Sequence, residues 1–257
     1  MSREDVETLE RVYAQWREGR FPDAAIFHPE IEVTWSPTTI DASGTTTGLA
    51  PLRDTLLHWF DGLDNVRFEA ERIVDLGDRV LVVAVMRAEG RGSGIEVAER
   101  YGHMWTLRDG RAVRLQDADP DSANVATVER FMELGLTNDW SRLDMLAPDV
   151  VYRPIAQVAE AGEYHGREGF RGYMAEFFES DWADDLTYEV TGLERHGEGV
   201  LARVKLTGTG HASALPFGAR VFVAFTLRDG KIAAIEDFLD HDDARRALDR
   251  SRGPAPE

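Results

Sequence analysis

The sequence contains no cysteine among its 257 residues. This absence excludes disulfides, thiolate metal sites and a cysteine nucleophile. It also fits a reducing compartment, so we expect a cytoplasmic protein. The charged N-terminus, Met1-Ser2-Arg3-Glu4-Asp5, is not followed by the apolar stretch of a signal peptide. No segment approaches the apolar length that spans a bilayer.

Basic residues are scarce beside acidic ones: 29 Lys and Arg stand against 47 Asp and Glu, a formal net charge of -18. A surface this acidic repels nucleic-acid phosphates and anionic membranes, so we expect neither as a partner. His-X-X-X-His pairs are also missing, and His241-Asp242-Asp243 fits a helix N-terminus better than a metal site. The sequence therefore predicts neither a metal nor a cofactor.

An internal repeat is the most informative feature that is present. Leu-Arg-Asp-Gly occurs at 107–110 and again at 227–230, an offset of 120. The same offset, within two residues, aligns most of both halves and matches Asp117 with Asp237. A period this long indicates a duplicated domain and excludes a solenoid unit. We predict two domains, residues 1–120 and 121–250, and a Pro-rich, disordered tail at 251–257.

Each repeat has the pattern helix, strand, helix and then a meander of strands. Helical spacing of apolar residues opens both repeats, and β-branched alternation marks the strands. Asp109-Gly110 and Asp229-Gly230 predict tight hairpins, because glycine readily takes the positive φ of such turns. The order predicts an α+β domain with helices on one face of a curved, mainly antiparallel sheet, leaving an apolar mouth for a small ligand.

The last hairpin of repeat one carries residues that indicate chemistry. A bulged turn at 108–110 predicts a register that pairs Tyr101 with Asp117, His103 with Leu115 and Trp105 with Val113. Strand alternation puts these six residues on one face. If that face lines the cone, burial raises the pKa of the Asp117 carboxyl and an imidazolium lowers it. Asp117 and His103 are therefore candidates for proton exchange near neutral pH. In the alternative interpretation, Asp117 is a capping or turn residue and His103 belongs to the core.

Repeat two keeps the aspartate and loses its polar neighbours. His103 becomes Val223 and Tyr101 becomes Val221, while Asp237 remains. Because the lost residues are the polar ones, we favour a degenerate, structural second copy. The other interpretation is a different pocket, in which Tyr152, Tyr173 or His165 approaches Asp237 from elsewhere in the cone.

The hairpin sequences carry a family resemblance. An aromatic-rich strand, an Asp-Gly-Arg/Lys turn and a strand ending in acidic and aromatic residues, seen at 100–111 and 229–240, resemble the C-terminal signature of SnoaL-like proteins. The resemblance covers nearly the whole chain twice and implies two tandem cone-shaped domains of the NTF2-like superfamily. SnoaL-type cyclases pair a histidine on the penultimate strand with a basic aspartate on the last, which His103 and Asp117 match. Related epoxide hydrolases need an Arg-X-Asp, which Arg100-Tyr101-Gly102 lacks.

Two functions remain open from the sequence. The first is a cofactor-independent enzyme of the cyclase or isomerase type, which abstracts a proton beside the carbonyl of a small, largely apolar substrate. Asp117 would be its base, His103 the partner and Asp237 the counterpart in repeat two. The expected pocket-wall residues are Tyr13, Trp35, Trp59, Tyr101, Trp105 and Tyr152. The second function is a non-catalytic module that binds a small hydrophobic ligand; an interaction scaffold has no specific support.

The resemblance also implies how the two repeats associate. NTF2-like domains commonly pair through their sheets, so the tandem copies are expected to pack as an internal pseudo-dimer. The residues expected to be buried by this pairing are Phe222, Ala224, Ala234 and Phe238.

Overall fold

A computed structural model describes residues 3–35, 44–136, 139, 143–155, 162–179, 183–211 and 213–251. The chain divides into two compact units between Ala123 and Asn124. The tail expected to be disordered lies, apart from Ser251, outside the described residues. Among the described residues, no helix combines the length and the apolar character needed to cross a membrane.

The described part of the first unit contains two α-helices and six strands. In chain order they are α1 Arg3–Arg17, β1 Phe27–Trp35, β2 Gly44–Thr47, α2 Leu49–Trp59, β3 Leu63–Asp75, β4 Val80–Gly90, β5 Glu96–Arg108 and β6 Arg111–Ala118. The strands form one sheet in the order β2-β1-β6-β5-β4-β3. The β1–β6 pair is parallel and every other pair is antiparallel.

The second unit repeats this plan and adds a helix. Its elements are α3 Ala123–Leu136, β7 Leu146–Arg153, β8 Tyr164–His165, α4 Gly166–Glu179, β9 Ala183–His196, β10 Gly199–Gly210, β11 Pro216–Arg228, β12 Lys231–Phe238 and α5 His241–Ser251. The strand order is β8-β7-β12-β11-β10-β9. The α+β architecture predicted from the sequence is therefore confirmed in both repeats; α5 begins at the helix N-terminus expected at His241, whereas β2 and β8 were not predicted.

A separate apolar core holds each unit together. In the first, Leu9 and Val12 on one face of α1 are fully buried against inner-face residues such as Val82 of β4. In the second, Val128 of α3 takes the same place against Ala202 of β10. Burying a side chain such as Leu9 contributes about 2 kcal/mol, so the helix docks because one stripe of it is apolar.

Helix α5 covers part of the outer sheet face of the second unit. Ala244, Ala247 and Leu248 pack against Leu201 and Ala224, and Phe222 and Phe238 lie beside this cluster. Phe222, Ala224 and Phe238 are residues that the sequence assigned to pairing between the repeats. Their observed cover comes from α5, and the pairing itself stays a prediction.

Asp240 caps the start of α5. Its Oδ1 accepts hydrogen bonds from the backbone N–H groups of Asp242 and Asp243, at 2.9 and 3.0 Å. The His241-Asp242-Asp243 segment is thus the first turn of a helix. Replacing Asp240 by Ala should lower the free energy of unfolding by about 1 kcal/mol in urea titrations. An unchanged midpoint would show that α5 does not depend on this cap.

Candidate functional site

The β5–β6 hairpin sets the positions of the site residues in the first unit. Asp109 and Gly110 both have positive φ, 50° and 70°, and form a two-residue turn. A bulge between the Thr106 and Leu107 pairings then adds one residue to β6. The resulting register pairs His103 with Asp117 and Trp105 with Leu115.

The predicted register is therefore wrong by two residues. The prediction assumed a three-residue turn at 108–110, whereas the turn has two residues and the additional residue lies in β6, at the bulge. A shift of two preserves the face of a strand, so the inward side of Leu115 is unaffected. Val113 is the exception: it lies at the bulge and is half-buried, and Ala112 is buried in the core in its place. The β11–β12 hairpin has the same bulge and pairs Val223 with Asp237.

Tyr13, His103 and Trp105 form a buried hydrogen-bonded group in the first unit. The Tyr13 hydroxyl lies 2.6 Å from His103 Nδ1, and Trp105 Nε1 donates to the Tyr13 oxygen at 3.1 Å. The Tyr13 oxygen already accepts a hydrogen bond from Trp105. The Tyr13 hydroxyl therefore donates its own hydrogen to the other contact, His103 Nδ1. This assigns the imidazole hydrogen to Nε2.

Burial fixes the protonation states of this group. Desolvation lowers the pKa of His103 to about 4 and raises the pKa of Tyr13. Both side chains are therefore neutral at pH 7. In this state His103 is a hydrogen-bond donor through Nε2.

Asp117 lies directly across the strand pair from His103 and is half-buried, with its Oδ1 inaccessible to solvent. Next to it, the Tyr101 hydroxyl donates to Glu99 Oε2 at 2.7 Å. Burial raises the pKa of Tyr101, helped by Glu99 and by the charge of Asp117. The structure thus places Asp117 opposite the neutral His103 and near the hydrogen-bonded pair of Tyr101 and Glu99.

A cavity of about 510 Å³ opens beside this group. Its apolar lining includes Trp16, Trp35, Trp59, Phe60 and Phe68, and His103 and Leu115 also contribute. Of the expected pocket-wall residues, Trp35 and Trp59 line this cavity. Tyr13, Tyr101 and Trp105 lie behind its wall and contact it through ring packing on Trp16 or Trp59.

The second unit holds a different arrangement around Asp237. The Tyr152 hydroxyl, from β7, donates to Asp237 Oδ2 at 2.6 Å. Tyr173, from α4, packs on Tyr152 with ring centroids 4.9 Å apart. The sequence named both tyrosines as residues that could approach Asp237, and the geometry brings them there. His165 is exposed and instead lies beside Glu163.

Asp237 lines an apolar cavity of about 350 Å³. The walls include Phe131, Met132, Phe170, Tyr173, Phe177, Val204, Val221, Val223 and Phe225. Tyr152 lines the same cavity. Desolvation raises the pKa of Asp237 to about 7, although the Tyr152 hydrogen bond opposes the shift. The carboxyl group is therefore present in both protonation states near neutral pH. Among the described residues, no cluster of three or more His, Asp or Glu could hold a metal.

Substitutions between the repeats explain why the two pockets differ. Val33 pairs with Leu115 in one sheet, and Tyr152 pairs with Ile235 in the other, so Tyr152 occupies the place of Val33. At the repeat offset, Gly135 replaces the bulky Trp16, which leaves room for the second cavity. In the second repeat the polar side chain beside the aspartate comes from β7, and the residue opposite it on the neighbouring strand is Val223. A Val-to-Tyr difference between aligned repeats was the signal that could have revealed this.

Fold and pocket together define each unit as a cone-shaped α+β domain of the NTF2-like type. The family model described as "SnoaL-like domain" matches residues 9–115 and again residues 128–235. The chain therefore belongs to the SnoaL-like domain family, with two copies in tandem.

Similar solved structures each correspond to about half of this chain. An NTF2-like protein from Burkholderia pseudomallei K96243 has 21% identity and a TM-score of 0.40, covering 47% of this chain and 93% of that one. A putative SnoaL-like polyketide cyclase from Jannaschia sp. CCS1 has 21% identity and a TM-score of 0.39, covering 55% and 99%. TsrD from Streptomyces laurentii has 24% identity and a TM-score of 0.36, covering 49% and 95%. No curated protein matches significantly.

Proposed function

We propose that this protein is a cofactor-independent enzyme that moves a proton beside the carbonyl group of a small, apolar substrate in its second repeat. Asp237 takes the proton and returns it, and Tyr152 is its hydrogen-bond partner. The observation that carries the proposal is a half-buried carboxyl group on the wall of an apolar cavity, hydrogen-bonded by Tyr152 and with a pKa of about 7. A general base works best when its pKa lies near the working pH.

The chemistry follows from the lining of the second cavity. The ionised Asp237 carboxylate removes a proton from the carbon next to the carbonyl, and the electron pair of that C–H bond forms the enolate. The protonated carboxyl then returns the proton to carbon. Tyr173 lines the cavity and packs on Tyr152, and we assign its hydroxyl hydrogen to the developing oxyanion.

Hydrogen exchange tests this proposal without knowledge of the natural substrate. We expect the full-length protein to speed deuterium incorporation from D₂O into 2-tetralone, a small apolar ketone, as measured by mass spectrometry. Asp237→Asn should reduce the enzyme-dependent rate by about 10² or more. Tyr152→Phe should keep activity but shift its pH profile, because the hydrogen bond from Tyr152 lowers the Asp237 pKa.

Asp117→Asn is the matched control, because Asp117 occupies the equivalent position in repeat one. Loss of exchange in this variant alone would move the site to the Asp117–His103 pair, which stays a prediction. Binding of the ketone without exchange in any protein would favour the non-catalytic ligand-binding alternative. Equal rates for wild type and Asp237→Asn would refute the role of Asp237.

A further inference from the structure

Charged residues at the rim of the first cavity carry an inference about its ligand. The charged residues that line it are five in number: Glu18, Arg20, Arg53, Asp64 and Arg67. Both acids are already paired. Arg20 Nε donates to Glu18 Oε2 at 3.0 Å, and Arg91 Nε donates to Asp64 Oδ1 at 3.2 Å. Within each pair the two charges cancel. The positive charge that remains at the rim is that of Arg53 and Arg67.

Arg53 of α2 and Arg67 of β3 supply that remaining positive charge. Both are exposed, and no carboxylate of the described residues lies within ion-pair distance of either guanidinium. Arginine presents a planar fork of donors that matches a carboxylate or sulfonate.

The interior of the same cavity supplies apolar and donor groups. Trp16, Trp35 and Trp59 provide flat aromatic walls, and His103 lies among the lining residues with its Nδ1 occupied by Tyr13. Its Nε2 hydrogen is therefore the one available to a ligand oxygen. Aromatic walls, an internal donor and a cationic rim together suit a planar ligand with an anionic group.

The second cavity lacks this cationic rim. Its described lining contains no arginine, lysine or histidine, and Asp237 is the single carboxyl group. Thr187 occupies the place of Arg67, as the strand registers show. Arg171, which aligns with Arg53, pairs with Glu168 and does not line the cavity.

We propose that the first repeat is a second, separate ligand site that takes a planar aromatic anion, with Arg53 and Arg67 selecting the charge. The two repeats then bind ligands of different classes: an aromatic anion in the first and a neutral apolar compound in the second. This inference rests on the first cavity alone and holds whether or not Asp237 is a base.

A matched pair of fluorescent probes tests the charge selection. 8-Anilinonaphthalene-1-sulfonate and N-phenyl-1-naphthylamine share one aromatic framework and differ in the sulfonate. In titrations of the full-length protein, Arg53→Gln/Arg67→Gln should weaken binding of the sulfonate about tenfold. Binding of the neutral probe should change less than twofold.

Arg171→Gln/Arg246→Gln is the control, because it removes the same charge from exposed arginines in repeat two that pair with acids. It should leave the affinity for both probes within twofold. The proposal is overturned if the Arg53/Arg67 variant binds the sulfonate like wild type, if both probes weaken equally, or if the control loses as much. Thermal unfolding of each variant confirms that the comparison is between folded proteins.

Discussion

Asp237→Asn should stabilise the second unit, and by about 3 kcal/mol more at pH 8.5 than at pH 5. The folded pKa of Asp237, about 7, lies above the ordinary value of 3.8 because the carboxyl group is desolvated. Between these two values the folded state binds more protons than the unfolded state. Stability therefore falls as pH rises from about 4 through 7. The asparagine variant has a neutral amide that does not titrate, so its stability does not fall for this reason.

Urea unfolding of wild type and variant across this pH range measures the effect. Asp117→Asn is again the control, since it makes the same substitution at the equivalent strand position of the first unit. A stability difference that stays constant between pH 5 and 8.5 would show that Asp237 does not titrate in this window. A stabilising substitution at a proposed base is expected, because a charge buried for chemistry destabilises the fold that holds it.

Acid should destabilise the first unit through His103. Its folded pKa, about 4, lies below the ordinary value of 6.5 because the imidazole is buried. The unfolded state binds the extra proton between these values, so this contribution is fully present above pH 6.5 and is lost as pH falls toward 4. The loss amounts to about 3 kcal/mol.

His103→Gln isolates this contribution, because the glutamine oxygen can still accept from Tyr13 and does not titrate. The difference in unfolding free energy between wild type and variant should change by about 3 kcal/mol between pH 7 and pH 4. His58→Gln, at an exposed position on α2, is the control and should follow wild type. Parallel pH curves for wild type and His103→Gln would contradict the burial of a neutral imidazole.

These predictions place the two repeats in different roles. The first repeat keeps the histidine and tyrosine that the family resemblance highlighted, yet burial holds its histidine neutral. The second repeat lost those residues and gained Tyr152 beside its aspartate. Duplication followed by divergence of the pocket would account for one scaffold with two ligand classes.

The sequence alone determined the duplication, the α+β plan and the choice of Asp117 and Asp237 as candidate site residues. The duplication follows from comparing the two halves of the chain at an offset of 120. The rest depends on local information: alternation along strands, and Asp-Gly turns whose positive φ favours glycine at Gly110 and Gly230. Such patterns involve neighbours a few residues apart, so composition and spacing suffice to predict them.

Tertiary structure alone decided which aspartate sits in an apolar cavity. Tyr152 and Asp237 are separated by 85 residues, and their contact depends on the parallel pairing of β7 with β12. The register of each last hairpin depended on a bulge that no residue type marks. The volume of a cavity is the space that remains after every side chain has packed. In the second repeat, for example, Gly135 lines the cavity at the position that Trp16 occupies in the first. A pKa set by desolvation follows from that packing, and so it could not be predicted from the order of the residues.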